Sequence, residues 1–151
     1  MSGESALGRF KLGAFDAAAV ARAEEALKSL SGNFDQWMGD EIAKLEAARA
    51  RVRDEGFSEE TGYNLYLRAH DLKGLGTTYG YPLVTRIAGS MCRILHDAEA
   101  RASAPTYLVE AHIEAIVAAV RKDIRTDADP AGRALAEELE TQVDRLVPAA
   151  A

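Results

Sequence analysis

Apolar residues recur along this chain at every third or fourth position, between short clusters of Gly, Asn, Pro and acidic residues, which is the pattern of amphipathic helices. Asp16 is placed to cap a first helix over about 16–30, with Val20, Ala23, Leu27 and Leu30 on one face and Ser31, Gly32 and Asn33 as its end. The Gly-rich stretch before it is expected to fray. A second helix over about 35–55 carries Met38, Ile42, Leu45, Ala48 and Val52, and Gly56 stops it. Ser58 and Thr61, with Glu59 and Glu60 in the first turn, open a third helix that the pattern carries to about Tyr79.

Gly80 and Pro82 then break the chain, and a fourth helix presents Leu83, Ile87, Met91, Ile94 and Leu95. Pro105 opens a fifth, with Val109, Ile113, Ile116, Val117, Val120 and Ile124 inward. After a loop at 126–130, a sixth helix over about 132–147 carries Leu135, Leu139, Val143 and Leu146. No stretch sustains the alternation of a half-buried strand, so the reading is all-α. Helices of this length joined by short turns bury their stripes most economically as an antiparallel bundle. A chain of 151 residues suits one domain, residues 1–151.

Charge narrows the function classes. The net charge of −6 leaves no summed positive field to hold nucleic acid or an anionic membrane, so protein partners are expected. Cys92 is the only cysteine, which excludes an intramolecular disulfide and a cysteine-based zinc site and casts it as core filler. The start, MSGESALGRFKLGAF, lacks the apolar run of a signal peptide, and no run reaches the roughly 18 apolar residues of a membrane span, so a cytoplasmic location is expected.

One helix carries the candidate chemistry. At roughly 100° per residue, Leu65, Leu72, Leu75 and Tyr79 fall opposite His70. If they face the core, His70 faces solvent. Tyr66, Lys73, Gly74 and Thr77 cluster around it, with Tyr63 and Leu67 on the same side. A neutral imidazole nitrogen is a nucleophile available near neutral pH. Lys73, one turn on, can neutralise a phosphoryl group. Gly74 costs about 1 kcal/mol relative to alanine in a helix interior. The compensating gain is room for a partner to approach the imidazole, with Tyr63, Tyr66, Leu67 and Thr77 as its docking surface. Gly76 falls towards the core and is read as structural.

The stretch AHDLKGLGTTYGYPLVTRIAG, Ala69 to Gly89, resembles the signature of histidine-containing phosphotransfer (HPt) domains. The carriers are His70, Leu72, Lys73, Gly74 and Gly80, followed by Leu83 and Ile87. Leu75 and Gly76 stand where many members have small polar residues. The resemblance implies a four-helix up-and-down bundle over about 34–125, with the helix at 16–30 as a cap and that at 132–147 as an addition. It also implies that His70 accepts a phosphoryl group from a receiver-domain phospho-aspartate, or from a histidine kinase, and passes it to another receiver. Lys73 and Gly74 carry over by position.

No P-loop or ATP-binding segment is recognisable, so the reading is a phospho-carrier, not an enzyme, with no cofactor of its own. Any Mg2+ would belong to the receiver, and a monomer is expected. Two alternatives stay open. One is a helical adaptor that binds a receiver or another protein without accepting phosphate, and the other is a dimeric relative of kinase dimerisation domains. His96 and His112 lack companions at ligand spacing, so no metal site is expected. Asp97 and Glu99 read as a solvated helix end, and Arg49, Arg51 and Arg53 as a basic helix C-terminus able to steer an acidic partner.

Overall fold

The computed structural model describes residues 2–148, with side chains from residue 16 onward. Six helices follow in order: α1 Ser2–Glu55, α2 Glu59–Leu75, α3 Pro82–Leu95, α4 Ala98–Ser103, α5 Thr106–Arg121 and α6 Pro130–Leu146. Among the described residues there is no strand, so the all-α reading holds. No helix there is long and apolar enough to cross a membrane. The chain divides into two compact units, Met1–Asp35 and Gln36–Ala151.

The first unit corrects the expected helix boundaries. No break occurs at Ser31, Gly32 and Asn33, and the Gly-rich start is helical from Ser2, within one 54-residue helix. The first proline of the chain is Pro82, so every residue of α1 can donate its backbone hydrogen bond. Each glycine costs only about 1 kcal/mol, which propagation through neighbouring helix formers absorbs. Val20, Leu27 and Leu30 are exposed.

In the second unit, Met38, Ile42, Leu45 and Ala48 of α1 join one core with Leu65, Ala69 and Leu72 of α2, most of α3, the inner face of α5, and Ala136, Leu139 and Val143 of α6. Full burial of a Leu, Ile or Met contributes about 1.5–3 kcal/mol, so this cluster is the main stabilising element. Gly56, at φ +86°, ends α1 with its N–H on the Val52 carbonyl. Ser58 caps α2 in a reciprocal box with Thr61.

Helix α3 is the hub, packing on α2, α4, α5 and α6. Helix α6 is tied to it by Arg86, which reaches Glu140 at 2.9 and 2.6 Å, and by Arg93, which reaches Asp144 at 2.8 Å. The basic cluster on α1 is occupied: Arg49 pairs with Glu110 and Glu114 of α5, Arg53 with Glu110, and Arg51 with Glu55 and Glu60. Asp97 and Glu99 do not finish the preceding helix as expected. Asp97 starts a new one, its carboxylate accepting the Ala100 N–H at 2.7 Å.

His112 lies wholly inside the core. Its Nδ1 is 2.7 Å from the Leu108 carbonyl, which can only accept, so Nδ1 carries the hydrogen. Nε2 therefore accepts the Ser90 hydroxyl at 2.9 Å. Burial holds this imidazole below its ordinary value of 6.5, and the bond to Leu108 only partly opposes that. A depressed folded-state value means that the unfolded chain binds the extra proton first. The contribution is therefore complete above about pH 6.5 and is lost as the pH falls towards the folded-state value. Urea midpoints measured from about pH 7.5 down to pH 5 should decline in the wild type and decline less in His112→Gln. Equal slopes would show that His112 is not the group responsible.

Candidate functional site

Helix α2 presents two faces. The buried one consists of Thr61, Gly62, Leu65, Ala69 and Leu72. Leu75, expected in the core, is only half-buried, and Ala69 takes its place. The small residues let α2 settle closely on α3, which turns the buried face a little away from the leucine-only stripe. Gly76 shows how close the approach is, since a Cβ there would stand 2.5 Å from Thr85 Oγ1 and 2.7 Å from the Thr85 backbone nitrogen. Its expected structural role is correct.

The opposite face carries His70, which is exposed as predicted. No hydrogen bond engages its imidazole among the described residues, and its one aromatic neighbour is Tyr66, with ring centroids 5.9 Å apart at 44°. Lys73 is exposed and has no ion pair among the described residues. Its stem runs along Gly89 of α3, 3.9 Å from the point where a Cβ there would stand, which is ordinary contact distance. The neighbouring carboxylate, Asp71, pairs with Arg68 at 3.4 Å. A cation without a partner thus lies one helical turn from a nucleophilic ring nitrogen.

Gly74 is exposed, and a Cβ there would meet nothing within 4 Å. No internal packing accounts for glycine at this position, unlike Gly62, where a Cβ would lie 2.9 Å from the Phe57 ring, or Gly76. Gly80, the last glycine of the motif, adopts φ +89° in the turn between α2 and α3, a conformation that favours glycine.

Two expected members of the site are placed differently from the rest. Helix α2 ends at Leu75, not Tyr79, so Thr77 lies in the following turn and helical spacing does not bring it to His70. Its N–H and hydroxyl are 2.8 and 3.1 Å from Thr85 Oγ1. Leu67 is half-buried, whereas Tyr63 is 48% exposed and available to a partner. Cys92 is buried, as expected of core filler, and burial pushes its thiol up to about 11 despite the opposing pull of Lys73.

Arg101 was not legible as a site residue. It sits on α4, almost wholly buried, with its guanidinium carbon 5.2 Å from the Tyr63 ring centroid and 6.0 Å from that of Tyr66. It donates to the Leu95 carbonyl at 2.9 Å and pairs with Glu59. An arginine in a short Ala-rich segment has no periodic signal, because its partners come from other helices. Among the described residues, no group of three or more His, Cys, Asp or Glu is placed to hold a metal ion. Compared with protein-family models, curated proteins and solved structures, the chain matches none.

The two glycines should respond oppositely to the same change. Gly76→Ala should lower stability by about 1–3 kcal/mol, because a backbone nitrogen cannot move aside easily. Gly74→Ala should raise it by up to about 1 kcal/mol, because an open helical site gains propensity. Urea denaturation of both variants checks the pair, and a destabilised Gly74→Ala would reveal packing at that position.

Proposed function

We propose that this chain is a histidine phosphotransfer protein that accepts a phosphoryl group on His70 from the phospho-aspartate of a receiver domain, or from a histidine kinase, and hands it to another receiver. The reading rests first on Gly74, a glycine in the last turn of α2 whose open surroundings give it no internal packing reason. A partner that must bring a phosphorylated carboxylate up to His70 supplies the missing reason. The unpaired Lys73 and the imidazole free of hydrogen bonds support the same reading.

In the transfer, a lone pair on an imidazole nitrogen forms the N–P bond as the acyl O–P bond breaks, and the receiver's aspartate leaves as a carboxylate. The other ring nitrogen holds the N–H, and the proton released on relaxation of the ring goes to solvent. Lys73 offsets the phosphoryl charge without bonding to it covalently. Reversal on a second receiver re-forms the acyl phosphate. The chain supplies no ATP site in this scheme, and any Mg2+ is the receiver's. Tyr63, Tyr66 and Leu67 form the apolar part of the docking surface.

The architecture we propose for this role is an up-and-down four-helix bundle made by the second-unit part of α1 with α2, α3 and α5. Helix α6 then covers the outer side of α3 and α5, and the opposite side of α2 stays open to the receiver. The partners would be receiver domains or hybrid kinases in the cytoplasm.

Purified protein incubated with pre-phosphorylated receivers should acquire acid-labile, alkali-stable label, and ATP with Mg2+ alone should give none. His70→Gln should abolish the label while leaving the circular dichroism and thermal midpoint unchanged, since the side chain faces water. Retention of label in His70→Gln would overturn the assignment. A bulky residue at position 74, as in Gly74→Phe, should slow transfer by on the order of tenfold or more. Unchanged transfer kinetics would refute the steric role of Gly74.

A further inference from the structure

Along the exposed side of α2, three rings follow one another at helical spacing. Tyr63 and Tyr66 stack with centroids 6.2 Å apart and planes at 26°, and Tyr66 meets the His70 imidazole at 5.9 Å. At the far end stands Arg101, over both tyrosines. Such distances lie within the range of aromatic pairs and cation–π contacts.

Arg101 is expensive where it is. Its side chain is 7% exposed and its Nε has no hydrogen-bond partner. A buried, incompletely satisfied guanidinium costs free energy that capping the end of α3 through the Leu95 carbonyl would not by itself require. A neutral side chain would fill the same space. Besides the ion pair with Glu59, what a planar cation adds is attraction to the two ring faces, which holds the tyrosines in one arrangement.

We infer that Tyr66 and Arg101 are positioning residues for His70: Arg101 clamps the tyrosine pair, and the Tyr66 ring holds the imidazole in one orientation on α2. The imidazole needs such support because no hydrogen bond engages it among the described residues. A histidine side chain held only by water would sample several staggered rotamers, and only a fraction of encounters would align its nitrogen with phosphorus. Helix α4, absent from the sequence reading, thereby gains a purpose, since its fold delivers Arg101 to the rings. This inference rests on the phosphotransfer reading of His70.

Positioning and docking make different kinetic demands. Arg101 is too buried to touch a receiver, so its replacement tests the clamp without removing docking surface. With a phosphorylated receiver that labels the wild type, Arg101→Met and Tyr66→Leu should lower the transfer rate at saturating receiver by on the order of tenfold, and in Arg101→Met, which leaves the docking surface intact, half-saturation should change little. Tyr66→Phe, which keeps the ring, should retain the wild-type rate. Glu59→Gln removes the ion pair of Arg101 and leaves it over the rings, so it should lower stability and spare the rate. A rise in half-saturation alone, or unchanged rates in both Arg101→Met and Tyr66→Leu, would overturn the inference.

A second readout needs no partner. Three-bond couplings across the His70 Cα–Cβ bond should report one rotamer in the wild type and averaging in Tyr66→Leu, a replacement that keeps a half-buried position apolar and is expected to fold even if Arg101→Met does not. Averaging already in the wild type would overturn the clamp. If the wild type takes label from no donor, the phosphotransfer reading fails, yet these couplings still decide whether Tyr66 holds the ring.

Discussion

A helix laid against a neighbour keeps one side for that contact and leaves the other free, and the seating of α2 on α3 decides which residues of this chain are available to a partner. Leu65, Ala69 and Leu72 are committed to the core, and Gly76 lets the end of α2 come within contact of the Thr85 backbone. His70, Lys73 and Gly74 are exposed as the complement of that packing. Close packing tolerates little volume change, so the orientation of α2, and with it the exposure of the imidazole, is strongly specified.

Glycine meets two different physical demands within a few residues. Gly76 is glycine because another backbone occupies the place of its Cβ, and Gly80 because its φ is positive. Neither reason applies to Gly74, where a Cβ would meet nothing within 4 Å. The cations near the core differ in their engagement as well. Most arginines on α1 and α3 are consumed in ion pairs that hold helices together, each contributing about 0–1 kcal/mol at the surface, whereas Lys73 is left free among the described residues. A free lysine beside a free imidazole can respond to an incoming anion without first breaking an internal bond.

The turn after α2 is held from the other side of the fold. Tyr81 is buried, its hydroxyl donates to Asp123 at 3.0 Å, and the Arg125 guanidinium lies 4.3 Å from its ring centroid. Arg125, and to a lesser degree Tyr81, keep the Asp123 carboxyl below its ordinary range. The Leu83 N–H also bonds the Arg125 carbonyl, so the start of α3 is pinned to the loop between α5 and α6. Helix α6 can therefore bear on the candidate site indirectly, by stabilising the element on which α2 is seated.

Sequence periodicity and proline placement alone determined that the chain is helical, where α3 and α5 begin, that Ser58 opens α2, and that His70 lies opposite the buried Leu65 and Leu72, because these depend on contacts three or four residues apart. The cost of Gly74 was also visible there, since propensity is local. Only the tertiary structure decided that α1 continues through Ser31–Gly32–Asn33, since a weak breaker without proline does not reveal whether propagation wins. It alone decided that Ala69 displaces Leu75 from the core, that Thr77 turns to Thr85, and that Arg101 reaches two tyrosines and the Leu95 carbonyl. Each of those outcomes joins residues from separate helices, and a distance between helices is set by packing, which no local period encodes.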